Sequence, residues 1–137
     1  MHPAKPRSDA SGLPWAAATL FGAAVGGAAW ALTVWARAYC DAGYDAGGRL
    51  TLNLLLPLAV GVGALAGPAA LAIGRRLARP APPALRRALP ALLVLAVTFG
   101  LAWWFFATQG TLAGYPGDSG RCPASNVPPA WPGWLPA

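Results

Sequence analysis

Three long stretches without a charged side chain decide what this chain can fold into: residues 13–36, 50–74 and 88–108. A helix rises 1.5 Å per residue and needs about 20 apolar residues to cross the hydrocarbon core of a bilayer. Each stretch reaches that length. Three such helices buried in a water-soluble protein would need a polar shell, and a 137-residue chain leaves almost nothing to build it from. Only 10% of the residues are charged, against about 25% in soluble domains. Lipid is therefore the expected solvent. Barrel strands are excluded by run length, since they span in about 9–11 residues and alternate polar with apolar. A helix satisfies its own backbone hydrogen bonds, which hydrocarbon demands. The expected fold class is an all-α integral membrane protein with three transmembrane helices.

The organisation follows from these runs. Residues 1–12 read as a polar arm, 13–38 as the first transmembrane helix and 39–49 as a short loop. Residues 50–74 form the second helix, 75–87 an arginine-rich loop, 88–109 the third helix, and 110–137 a tail rich in Pro and Trp. The first run exceeds the apolar core of a cleaved signal peptide, about 7–15 residues. Arg37 and Tyr39 do not suit a lipidation box before Cys40, so an uncleaved helix is expected. Pro14 fits a first helical turn, where its missing N–H costs nothing. Pro57, inside the second run, is expected to bend that helix and release the Asn53 carbonyl.

Charge distribution orients the chain. The arm carries Lys5 and Arg7, and the second loop carries Arg75, Arg76, Arg79, Arg86 and Arg87. The other side holds Arg37, Arg49 and Arg121, offset by Asp41, Asp45 and Asp118. The positive-inside bias puts the N-terminus and the five arginines in the cytoplasm and the C-terminus on the exported side. The expected location is the inner (plasma) membrane, as a multi-pass protein. The five arginines are expected to act as a cytoplasmic anchor touching anionic headgroups. Their confinement to one side argues against nucleic acid as the partner of a chain with net charge +6. Trp15, Trp30, Trp35, Trp103 and Trp104 lie toward the ends of the spans, where indoles favour the headgroup level.

Cys40 and Cys122 fall on the same, exported side, which is oxidising in most cells. A Cys40–Cys122 disulfide is expected, with free thiols or pairing between chains as alternatives. Such a bond would pin the tail over the mouth of the bundle. The tail's prolines deny it a helix. Trp131 and Trp134, in a W-P-G-W step, then either pack as a lid on their own helices or meet a partner.

Small residues four apart let helix backbones approach closely in a membrane. Gly22 and Gly26 have this spacing in the first helix, Gly63 and Gly67 in the second, and Ala96 and Gly100 in the third. Asn53 is the only amide in the apolar runs and reads as helix–helix glue. These positions predict close packing, within the chain or between chains.

Catalytic chemistry has little to work with. Gly117-Asp118-Ser119-Gly120 resembles the tetrapeptide around the nucleophile of chymotrypsin-like serine proteases, but that reaction needs a histidine base beside the serine. The only histidine is His2, on the other side of the predicted membrane. A Gly/Asp/Ser turn is the expected structure there. Two cysteines and one distant histidine make no four-ligand metal site. Neither metal nor cofactor is expected, and the chain reads as non-catalytic. Its expected partners are the lipid bilayer and other membrane subunits or further copies of itself. The expected function is an accessory subunit or scaffold of a larger membrane complex. The alternative is a small oligomeric transporter or channel for an uncharged or anionic solute. Arginine- and alanine-rich, lysine-poor usage suggests a high-GC bacterial genome.

Overall fold

The computed structural model describes residues 12–110 and 119–136. Three long helices, α1 (Leu13–Cys40), α2 (Ala46–Leu77) and α3 (Pro83–Phe105), follow one another, and a five-residue π-helical turn, Phe106–Gly110, extends α3. All three are long and apolar enough to span a bilayer. Only 22, 22 and 28% of their apolar windows are buried inside the molecule, so most of the apolar surface faces outward. Leu20, Leu54, Leu65, Leu92 and Phe99 are among the large side chains on that outer surface. In water this would be an aggregating surface; in hydrocarbon it costs nothing.

Local chemistry sets several helix ends, and these lie outside the expected limits. α1 runs two residues further, to Cys40, and stops where Asp41 takes a left-handed conformation (φ 53°). The Ala42 N–H then closes the last turn on the Arg37 carbonyl at 3.0 Å. α2 starts four residues earlier than its apolar run, because the Asp45 carboxylate accepts the Gly48 N–H at 2.7 Å and caps the helix. It also continues through Arg75, Arg76 and Leu77. α3 begins at Pro83 in place of residue 88, since Pro82 is extended and Pro83 suits a first-turn position. The arginine-rich loop thereby contracts to residues 78–82, and four of its five arginines become helical. α2 passes through Pro57 and Pro68, and α3 through Pro90, without an assigned break.

α1 and α2 are the tightest pair. They run antiparallel with their small residues opposed: Ala18 meets Gly67, Gly22 meets Gly63 and Gly26 meets Ala59. A methyl added at Gly22, Gly26, Gly63 or Gly67 would fall into the opposing backbone carbonyl, so the two backbones touch with no side chain between them. α3 leans on α2 at the arginine end, where a methyl on Gly74 would sit 2.6 Å from the Pro90 Cα. Beside that contact Ala18, Ala70, Leu71 and Val94 form a small core, and Phe21 meets Phe99 edge-on at 6.2 Å.

Candidate functional site

Away from the Gly74–Pro90 contact, the α2–α3 side of the bundle holds an apolar groove of about 260 Å³. Gly22, Gly26 and Ala29 of α1 form part of its lining, with Leu58 and Val62 on α2 and Leu101 and Phe105 on α3. Its polar side chains include Thr98, Thr108 and Gln109. The Thr98 hydroxyl is spent on the Val94 carbonyl at 2.8 Å, and the Thr108 hydroxyl on the Trp104 carbonyl at 3.0 Å. Such bonds back to the preceding turn leave the hydroxyls little to offer a ligand.

The cap closes the same end. Cys40 and Cys122 form a disulfide, with Cα atoms 5.5 Å apart. Ala36, Cys40 and Ala42 are buried beneath it, with Tyr39, Cys122 and Trp131 packed around them. Trp131 stacks on Trp35 at 6.5 Å between ring centroids and meets Phe106 edge-on at 5.8 Å. It therefore faces its own helices in this chain. Trp134 stacks on Trp103 at 6.5 Å but remains 68% exposed, so one indole of the pair is left on the surface. The tail owes its shape to three proline carbonyls. Pro123, Pro128 and Pro132 accept N–H groups from Asn126, Trp131 and Leu135, each three residues on.

Under the cap lies Arg37, which is buried and donates to the Gln109 carbonyl in the π-helical turn. The charge in the last turn of α1 also faces the negative end of that helix's dipole. By charge pattern Arg37 belongs with the exported-side charges, and the structure folds it inward. Arg49, on the same side, lies 4.8 Å over the Tyr44 ring and donates to the Tyr44 carbonyl at 3.0 Å. Trp30, read only as an interfacial aromatic, ties the spans together: its indole N–H donates to the Leu52 carbonyl at 2.7 Å. That carbonyl adjoins the one at Asn53 from which Pro57 withholds a donor.

Two of the residues expected at helix contacts make none with the described residues of this chain. Gly100 is exposed, and a methyl on it would meet nothing within 4 Å, because α3 turns Ala96 and Gly100 away from the other helices. Asn53 is likewise exposed on the outer side of α2 and joins no other helix among the described residues. Gly22, Gly26, Gly63 and Gly67 make their contacts inside one chain.

The arginine end carries Arg75, Arg76, Arg79, Arg86 and Arg87, all exposed. Arg75 lies 4.9 Å over the Trp15 ring, which sets the start of α1 level with the end of α2. Among the described residues no group of three His, Cys, Asp or Glu side chains could hold a metal ion. His2, Gly117 and Asp118 lie outside the described residues, as do Lys5, Arg7 and Asp9 of the arm. The Ser119 hydroxyl accepts the Arg121 N–H at 3.2 Å, a local turn bond. Compared with known proteins, the chain matches no family model, no curated protein and no solved structure.

Proposed function

We propose that this protein is a non-catalytic accessory subunit or scaffold of a larger membrane complex. Its N-terminus and arginine end then face the cytoplasm, and its disulfide-pinned cap faces the exported side of the plasma membrane. The observation that carries this reading is the groove between α2 and α3, which the described residues leave unfilled. Its lining is almost wholly apolar, and its threonines are engaged with their own backbone. That surface suits packing against apolar side chains of another helix, with the Gln109 side chain, among the described residues, as its one polar group not engaged with its own backbone. Ala96 and Gly100, turned outward on α3, add a second place where a helix can approach closely.

The test is affinity purification of the full chain from native membranes in mild detergent. A stoichiometric membrane-protein partner, or a defined homo-oligomer, is the expected result. Ala102→Phe, which projects bulk into the groove, should release that partner while helix content stays unchanged. A chain that migrates alone, with and without the substitution, would refute the proposal.

A further inference from the structure

The arginine end carries charge that its own helices do not balance. Arg75 and Arg76 end α2, Arg79 follows, and Arg86 and Arg87 lie in the first turns of α3. The Gly74–Pro90 contact brings these two helix ends together, so the five arginines lie at one end of the bundle and form its rim. No Asp or Glu occurs between residues 46 and 110. Asp41 and Asp45 belong to the opposite end, and Asp9 in the arm is outnumbered by Lys5 and Arg7.

Two of the five are held by the chain. Arg75 lies against Trp15, and Arg86 donates to the Arg79 and Ala81 carbonyls at 3.0 and 3.3 Å, closing the short turn between the helices. A guanidinium lying over an indole still directs N–H donors outward from its edge. Arg76, Arg79 and Arg87 project from the same rim and are exposed. Immediately beside them Leu77 and Leu85 are 59 and 44% exposed. Trp15, in the first turn of α1, marks the headgroup level of the membrane. The rim thus combines several phosphate-matching cations with an apolar flank at the depth where lipid phosphates lie.

We propose that this rim is a binding site for an anionic phospholipid. Arg76, Arg79 and Arg87 grip the headgroup phosphate, Arg75 and Arg86 hold the shape of the rim, and the acyl chains cover Leu77 and Leu85. A guanidinium fork pairs two N–H groups with two phosphate oxygens, which favours arginine over lysine in this role. The apolar flank is what selects a lipid over a soluble phosphate or a nucleic acid, since neither of those would cover it. The inference stands apart from the accessory-subunit reading, because it concerns the opposite end of the bundle and needs no second protein.

The experiment reconstitutes the full chain in phosphatidylcholine vesicles containing a trace of spin-labelled phosphatidylglycerol or, in parallel, spin-labelled phosphatidylcholine. The motionally restricted fraction of each gives the relative association. A clear preference for phosphatidylglycerol is expected. It should fall by about fivefold for one arginine removed near the surface, and by roughly tenfold or more in R76Q/R79Q/R87Q. R49Q/R121Q, at the other end, should keep the preference. Removing loop charge can also disturb insertion, so a second measurement uses the unaltered chain: raising ionic strength should shrink the preference. Equal association of the two lipids by the unaltered chain would overturn the proposal. So would an equal loss in R49Q/R121Q, or displacement of the lipid by inorganic phosphate at matched ionic strength. The last result would identify a soluble-anion site. Nucleic acid that bound the rim and displaced the lipid would overturn it as well.

Discussion

Gly22→Ala is the sharpest probe of how the bundle is held. The added methyl would enter the Gly63 carbonyl, with the Gly63 carbonyl carbon 2.8 Å away. The obstructing atoms are backbone, so no side chain can rotate aside; the helices must separate or slide. The methyl would lie 2.0 Å from the Gly63 carbonyl oxygen, so a shift of well over ~1 Å is needed to restore ordinary contact, and it also loosens the Ala18–Gly67 and Gly26–Ala59 contacts on either side, because backbone pairs lose much of their dispersion attraction over a gap of even ~1 Å. Overpacking of this kind costs about 1–3 kcal/mol. Gly100→Ala is the matched control, since a methyl there meets nothing within 4 Å. It carries the same change in helix propensity, a gain of at most about 1 kcal/mol. Reversible unfolding in detergent, followed by tryptophan fluorescence, compares the two. Gly22→Ala should lose about 1–3 kcal/mol and Gly100→Ala should be neutral or slightly stabilised. Gly63→Ala should match Gly22→Ala, being the other half of the same contact. Equal effects of Gly22→Ala and Gly100→Ala would refute a backbone-to-backbone seam.

Other outcomes follow from the cap and the helix ends. Arg121 is exposed and directly precedes Cys122. Tryptic cleavage after Arg121 should therefore leave the C-terminal piece attached on a non-reducing gel and release it on a reducing one; release without reductant would contradict the Cys40–Cys122 link. Arg37→Met removes the donor to the half-buried Gln109 carbonyl, which should cost about 1–2 kcal/mol and speed amide exchange across Phe106–Gly110. Unchanged exchange there would show that Arg37 does not hold the turn. The proposed orientation predicts that Ala81→Cys, in the turn between α2 and α3, reacts with a membrane-impermeant maleimide only after cells are permeabilised. Labelling in intact cells would reverse the orientation.

The three helices were legible because hydropathy over a whole span is a summed signal, insensitive to any one residue. Their ends were not, because they depend on single atoms: one Asp45 oxygen moves the start of α2 four residues, and the Pro82–Pro83 step moves the start of α3 five. Cys40 and Cys122 could be paired by reasoning about compartments alone. The glycines of α1 and α2 could be flagged by their spacing, yet the same spacing flagged Gly100, which faces outward. Spacing identifies a surface that tolerates close approach and carries no information on which neighbour arrives. Arg37 and Trp30 were missed for a related reason. Their acceptors are carbonyls 72 and 22 residues away, and every residue type offers the same carbonyl, so no sequence pattern marks the pairing.

The link between positions 40 and 122 also records the history of each molecule. Two sulfurs can join only if they stand in one compartment, and α2 and α3 lie between them. An even number of crossings is therefore required before oxidation. A copy in which just one of those helices failed to insert would strand its thiols on opposite faces and stay reduced. The cystine thus works as a parity check on biogenesis, separating finished chains from stalled ones by a chemical mark that outlasts assembly.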